Sequence, residues 1–249
     1  MPVRFHIGAK ELRGAITAYA KRFDYLEVAI GLAPKSTAKE PRTAPAAATL
    51  RKWRKDVPPH FDFGVIAGPA VCALRAGDAL EHELAAARSA VDALRARCLI
   101  LKTPTDVSPA PVWRDRMAKL LDRLPRDATH VVWQPTGIWE VEDAAVAAKK
   151  WGIVLAVDPS REPVPAGPVA YARLRAMGET RSFGPAALER VATKIGERRD
   201  AYVVLETDGA LGEAKKLRTL VQQGAANGGG FARVVRPRGA LRVRDDEQE

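Results

Sequence analysis

Short apolar runs alternate with helical patterns along almost the whole chain. Residues 3–7, 25–30, 62–66, 98–101, 130–133, 153–157, 169–174 and 201–205 are brief, rich in Val, Ile, Leu or aromatic side chains, and bounded by Gly, Pro or Asp, as buried strands are. Between them the period lengthens to that of a helix. The clearest case is 78–97, where Leu80, Leu84, Ala87, Val91 and Leu94 recur at three- and four-residue spacing, and Asp78 with Glu81 reads as a capping box. Another is 112–124, with the stripe Met117, Leu120, Leu121 and Leu124 stopped by Pro125. Helices over 140–151, 185–197 and 210–223 are well marked, and those over 10–22 and 47–55 are weaker.

Eight strands with seven intervening helices predict an α/β fold, one closed parallel (β/α)8 barrel of the TIM type, in preference to an open sheet. The crossover 158–168 lacks a helix because Pro159, Pro163, Pro165 and Pro168 forbid one. The Pro- and Ala-rich stretch 34–48 is expected to loop over one end of the barrel. After Gln223 the pattern stops. The chain therefore divides into a single barrel, 1–223, and a tail, 224–249, made of a Gly-rich linker and an Arg-rich extension. That extension either pairs as a hairpin around Pro237-Arg238-Gly239 or stays without fixed structure.

Composition agrees with this picture and adds exclusions. A chain of 249 residues that is 47% hydrophobic and 28% charged can bury one sizeable core and is neither disordered nor fibrous. No charge-free stretch approaches the roughly 20 apolar residues of a spanning helix, so no membrane partner is expected. The first eight residues lack the apolar segment of a signal peptide and read as mature structure. Cys72 and Cys98 are the only thiols, with no spacing suited to a disulfide framework or zinc site. Both features fit a cytoplasmic protein.

The charge is less neutral than the architecture. Forty Lys and Arg against thirty Asp and Glu leave a formal +10, which suits nucleic acid, an anionic ligand, or only a solubilising surface. Many cations fall at predicted helix ends: Lys21-Arg22, the run 51–55, Arg95 and Arg97, Arg123 and Arg126, Lys149-Lys150, Arg198-Arg199. There they complement the macrodipole and should make the bottom of the barrel, away from the strand carboxyl ends, positive. Trp53, inside the 51–55 run, is expected to face the core. Arg233, Arg236, Arg238, Arg242 and Arg244 have no such helix to explain them, and Asp245-Asp246-Glu247 follows them directly.

At this level of detail the chain resembles the YecE-like family, domain of unknown function 72, whose members are βα barrels without an established activity. Tyr19-Ala20-Lys21-Arg22-Phe23-Asp24-Tyr25-Leu26-Glu27-Val28 is similar to the family's YAxxFxxVEI. Trp53 through Pro58, with Phe61, Phe63 and Val65, is similar to its WxxxxPxxFxFxV. Trp139, Asp158 and Tyr171-Ala172-Arg173-Leu174, against YVRLHG, continue the order. The resemblance runs from about Val3 to Val221 and implies the barrel. Departures are concentrated among polar positions. Ala29 replaces the Asn of EIN, and Ile66 the Lys of FAVK. Lys102 stands where FQLPP has Gln, and Trp133-Gln134-Pro135-Thr136-Gly137-Ile138-Trp139 replaces EFRHxSW, deleting a Glu, an Arg and a His. Leu205-Glu206-Thr207-Asp208 replaces FNNT. The chain thus reads as a divergent member lacking most of the family's polar pocket.

In such a barrel, chemistry belongs to polar side chains at strand carboxyl ends. Here these are Glu27, Lys102, Gln134, Asp158, Arg173, Arg175, Glu206 and Asp208. Arg173 and Arg175 lie two apart on the seventh strand and share a face, so their guanidiniums suit a phosphate or carboxylate if that face is the lumen. If they face the helices, or bridge acids such as Asp158 and Glu206, they are structural. Glu27 and Asp158 are candidates for an acid–base pair, with the alternative that Glu27 is simply neutralised by Arg173. Lys102 is a less marked candidate for a Schiff-base amine. Asp208-Gly209 opens a helix after a strand, either as an ordinary capped turn or as an anion-binding one. His6, His60, His82 and His130 are dispersed and match no metal-ligand spacing, and no cofactor is indicated.

Two functions follow. One is binding of a small anionic ligand, phosphorylated or not, at the strand carboxyl ends, with or without catalysis: Arg173 and Arg175 take the anion, Glu27 and Asp158 the proton transfer, and Lys102, Gln134, Glu206 and Asp208 the rim. The alternative is a non-catalytic barrel that engages nucleic acid, or another partner, through its basic bottom face and Arg-rich tail.

Overall fold

The computed structural model describes residues 3–31, 45–126, 129–176, 182–196 and 198–226. Eight parallel strands are laid in the order β1-β8-β7-β6-β5-β4-β3-β2. They are β1 (Arg4–Ala9), β2 (Tyr25–Ala29), β3 (Asp62–Ile66), β4 (Cys98–Lys102), β5 (His130–Gln134), β6 (Val154–Val157), β7 (Val169–Leu174) and β8 (Asp200–Leu205). The helices are α1 (Ile16–Ala20), α2 (Ala47–Asp56), α3 (Pro69–Cys72), α4 (Asp78–Leu94), α5 (Pro111–Leu121), α6 (Val141–Trp151), α7 (Pro185–Ile195) and α8 (Ala210–Ala226). As the prolines require, β6 passes to β7 without a helix.

One junction of the ring lacks a regular ladder. Between β1 and β2 the Asp24 N–H donates to Ile7 O at 2.9 Å, and Tyr19 completes the closure. The Ala9 N–H donates to the Tyr19 hydroxyl at 2.8 Å, and that hydroxyl donates onward to Tyr25 O at 2.9 Å. One side chain from α1 therefore satisfies backbone groups of both strands that would otherwise be orphaned. Gly8 permits the approach, since a Cβ there would collide with the Tyr25 carbonyl. Burial pushes the Tyr19 phenol well above its ordinary range, so it stays protonated and able to donate.

The two-residue period of each strand sorts its side chains into two cores. Residues facing outward, such as Leu26, Val28, Phe63, Leu99, Leu101, Trp133 and Val203, pack with the helices in the larger cluster. The inward set, Tyr25, Cys98, Ile100, Val132, Val169, Tyr171, Tyr202 and Val204, fills the lumen. Gly64 sits among them because Tyr25 occupies the space its side chain would need. Following the same parity downward leads to His6, Asp62, His130 and Asp200. Followed upward it leads to Glu27, Lys102, Gln134, Asp158, Arg173 and Glu206. The lumen is thus an aromatic plug with a polar row at each mouth.

Several local expectations change. The helix expected over 10–22 is only α1, five residues long, and α3, too short for a periodic signal, lies between β3 and α4. Asp78 is not an N-cap: Gly77 holds that position, Asp78 is the first helical residue, and Glu81 reaches Arg123 at 2.6 Å instead. The chain stays helical through Ala226, past Gly224 where the linker was expected to begin. Most of the 34–48 stretch and all of 227–249, including the five tail arginines, lie outside the described residues, whereas Ala47 and Ala48 open α2. Trp53 is half-buried and packs against the core.

Arg95 caps α4 in the left-handed region at φ 50°, which among described non-glycine residues only Leu74 shares. Leu74 is buried in the core, but Arg95 is exposed. Such a backbone costs a side-chain-bearing residue about 1–3 kcal/mol. A cation at a helix end returns only about 0.3–1 kcal/mol, so helix electrostatics alone does not explain why this position is not glycine.

Candidate functional site

The upper polar row converges on one buried guanidinium. Arg173, 4% exposed, donates to both carboxylate oxygens of Glu27 and to Glu206. Arg175, two residues on, donates from Nε to the other oxygen of Glu206. The two arginines share a face, as the spacing predicts, and meet on a common acid. Glu27 also accepts from the Tyr171 hydroxyl. A carboxylate can only accept, so the Tyr171 proton points at Glu27 and the Tyr25 hydroxyl, 3.1 Å away, donates to Tyr171. Lys102 Nζ stands 3.8 Å from Glu27. Burial is the largest influence on the Lys102 ammonium and lowers its pKa, with Glu27 opposing it. For Arg173 burial works against the charge, but Glu27, Tyr171 and Glu206 outweigh it and hold the guanidinium charged.

Two carboxylates, Glu27 and Glu206, therefore face three cations, Arg173, Lys102 and Arg175, leaving one positive charge in excess. It lies outward, since the side chains of Lys102 and Arg175 are 34% and 58% exposed while Glu27 and Glu206 are buried. Gln134 pairs in register with Lys102, and its Oε1 is buried without a hydrogen-bond partner among the described residues. Buried polar atoms are rarely left so.

Asp158 stands to one side. Its Oδ1 accepts from the Ser160 N–H and hydroxyl, fixing the turn after β6, and its Oδ2 accepts from the Arg175 N–H at 3.3 Å. It forms no contact with Glu27. Asp208 is exposed and has no side-chain hydrogen bond to a described residue; the β8–α8 turn is held instead by buried Glu213, which accepts from Phe183 N–H at 2.6 Å and from the Thr207 hydroxyl. Sequence reasoning missed Tyr171 and Arg161. Tyr171 was findable, being two residues before Arg173 on the same strand. Arg161, which lies 4.0 Å from Asp158 and donates to Arg175 O, sits on an irregular turn that gives no periodic signal. Among the described residues no group of three or more His, Cys, Asp or Glu is placed to hold a metal ion, and no helix is long and apolar enough to cross a membrane.

The site makes acid stability readable. Burial raises the Glu206 pKa, but Arg173 and Arg175 pull it down further, to a net value below the ordinary 4.5. A folded-state pKa below the unfolded one contributes stability that is complete above the unfolded value and is lost as pH falls through the folded one. The urea midpoint is therefore expected to decline as pH drops from about 5. A Glu206→Gln variant should start lower at pH 7 and decline less steeply; parallel pH profiles would contradict the assignment.

Parallel strands closed about a plugged lumen, with polar groups gathered at their carboxyl ends, define a TIM-type barrel. The chain belongs to the DUF72 family, proteins of unknown function, whose model matches residues 42–236. A DUF72 protein from Enterococcus faecalis superposes with TM-score 0.64 at 11% identity, covering 88% of this chain and 95% of that one. One from Thermotoga maritima gives 0.61 at 12%, covering 88% and 99%. A xylose isomerase domain containing protein from Salmonella typhimurium gives 0.54 at 12%, covering 90% and 97%. These likenesses are of fold. No curated protein matches the chain.

Proposed function

We propose that the barrel binds a small hydroxylated anion, a carboxylate or phosphate ester, at the carboxyl ends of its strands. The observation that carries this reading is the excess positive charge turned outward on Lys102 and Arg175, beside a Gln134 oxygen that lacks a donor. Arg173 serves as the buried anchor: its guanidinium is already matched by Glu27 and Glu206, so it orients those acids and, through Glu206, Arg175. Lys102 and Arg175 take the anion, and Gln134 accepts from a ligand hydroxyl. Glu27 and Asp158 hold these cations and their turns, with Glu27 the better enclosed should a proton be moved. Glu206 belongs to the floor and Asp208 to the outer rim.

Calorimetric titration of the full chain with inorganic phosphate and with glycerol phosphate tests the reading. A hydrogen bond to a charged group contributes about 1.5–3 kcal/mol, or roughly 10- to 150-fold in affinity. Lys102→Ala and Arg175→Ala are each expected to weaken binding by about that factor, and Gln134→Leu should weaken glycerol phosphate more than phosphate. Equal affinities in wild type and both cation variants would end the proposal.

A further inference from the structure

The other mouth of the barrel carries a polar constellation that the upper site leaves unused. An open basin of about 1370 Å³ lies at the amino ends of the strands, larger than the roughly 300–1,000 Å³ of sites for single small molecules. Its floor is the lower luminal row, His6, Asp62 and Asp200. Its wall carries Arg51 and Lys55 of α2, Arg95 capping α4, and Arg97 immediately before β4, and Asp92 of α4 also lines it.

Wall and floor differ in how they are committed. Arg54, also at the wall, donates to Phe61 O at 2.7 Å and Pro58 O at 2.6 Å, and Arg4 pairs with Asp200 at 2.8 Å, so both are structural. Arg51, Lys55, Arg95 and Arg97 are exposed, and no side-chain hydrogen bond or ion pair ties them to a described residue. Helix-end electrostatics explains Lys55, in the last turn of α2, but not Arg51, which lies mid-helix. It does not explain Arg95, kept in a backbone conformation suited to glycine, or Arg97, which lies past its helix. On the floor, His6 stacks on Tyr202 at 4.7 Å with Nδ1 3.2 Å from Asp62, while its buried Nε2 makes no hydrogen bond but faces Asp200 Oδ1 at 3.6 Å.

We propose that this basin binds single-stranded polynucleotide. Four uncommitted cations spread over α2, α4 and the approach to β4 suit successive phosphates along a flexible strand, not one anion. Of the floor carboxylates, Asp200 is taken up by Arg4 and Arg199, whereas Asp62, 18% exposed, repels phosphate but can accept from the amino and ring N–H groups of bases. A base-bearing polymer meets both surfaces; a bare polyphosphate meets only the wall. A flexible strand can enter the concave basin, whereas a rigid duplex cannot follow it.

Fluorescence anisotropy of a labelled single strand of about 12 nucleotides, with the full chain, is the test. Four phosphate contacts give a slope of about −2.8 in log affinity against log salt, roughly a fifty-fold loss between about 50 and 200 mM KCl. Arg95→Gly removes a cation and relaxes its backbone, so the fold should keep its stability while the slope shrinks by about 0.7. The triple variant Arg51→Ser/Arg95→Gly/Arg97→Ser should retain a slope of only about −0.7. RNA and DNA strands are run separately to show which sugar is preferred, and either one binding this way supports the proposal. Duplex of equal length, or polyphosphate of equal charge, competing as well as the single strand would overturn it. So would unchanged binding in the triple variant. Loss of binding confined to Lys102→Ala/Arg175→Ala, or to a full-length variant with Arg233, Arg236, Arg238, Arg242 and Arg244 replaced by serine, would move the interaction elsewhere and equally overturn it.

Discussion

Replacing Arg173 by Met is expected to destabilise the barrel by about 3–5 kcal/mol, the usual result of removing one member of a buried ion pair. In a chain of this length that lowers Tm by roughly 6–20 °C. The size follows from what is left behind. Glu206 keeps Arg175, but Glu27, 7% exposed, retains only the Tyr171 hydroxyl and a Lys102 ammonium 3.8 Å away. An ionised carboxylate in that position must either protonate or draw water into the lumen. The companion change separates this cause from simple loss of packing. Glu27→Gln on the Arg173→Met background removes the stranded charge yet keeps an acceptor for Tyr171, and should recover more than half of the lost stability. A thermodynamic cycle over the two positions should then show strong coupling, since the residues are in direct contact. Additive single-variant effects, measured by urea unfolding, would mean that Arg173 stabilises through its methylenes and not through Glu27.

The same residues show what was legible in the sequence. That Glu27, Lys102, Gln134, Asp158, Arg173 and Glu206 turn to the lumen was open in the sequence, but strand parity is a property of the chain alone, so the common face of Arg173 and Arg175 followed from counting by two. Which of the residues meet did not. That depends on the stagger between strands around the ring, which sets Glu27 opposite Arg173 across the lumen and leaves Asp158 beside the Arg175 backbone. The reading of Arg173 as an anion ligand and the reading of it as a neutralising bridge were chemically equivalent until that stagger was known. At the lower mouth the difficulty was different. The helix-end cations were all visible, and the macrodipole explained them too readily; the left-handed backbone of Arg95 is a fact of three dimensions that composition cannot carry. Closure between β1 and β2 was also hidden, because Tyr19 performs it with a hydroxyl, and a tyrosine on a weak helical pattern reads as ordinary core.

The second large effect is expected at Trp133, on the outer face of β5 and fully buried. Its ring meets Trp139 edge-on at 4.8 Å and Trp151 at 5.3 Å, and its Nε1 donates to the Thr103 hydroxyl at 3.0 Å. Thr103 directly follows Lys102, and its N–H donates to Gln134 O while its carbonyl accepts from Thr136. One indole therefore does two things: it fills the space against Trp139 and against Trp151 of α6, and it pins Thr103, just past the paired strand ends that carry Lys102 and Gln134. Trp133→Ala should cost about 3–5 kcal/mol through the cavity it opens, visible as a Tm fall of roughly 6–20 °C. Trp133→Phe keeps most of the ring and loses mainly the hydrogen bond, a cost of about 1–2 kcal/mol. Phosphate-ester affinity separates the two roles. If the indole positions Lys102 through Thr103, the Phe variant should bind the ester more weakly while remaining well folded at the assay temperature. Full affinity in that variant would confine Trp133 to packing and leave the strand β4–β5 pairing alone to set the position of Lys102.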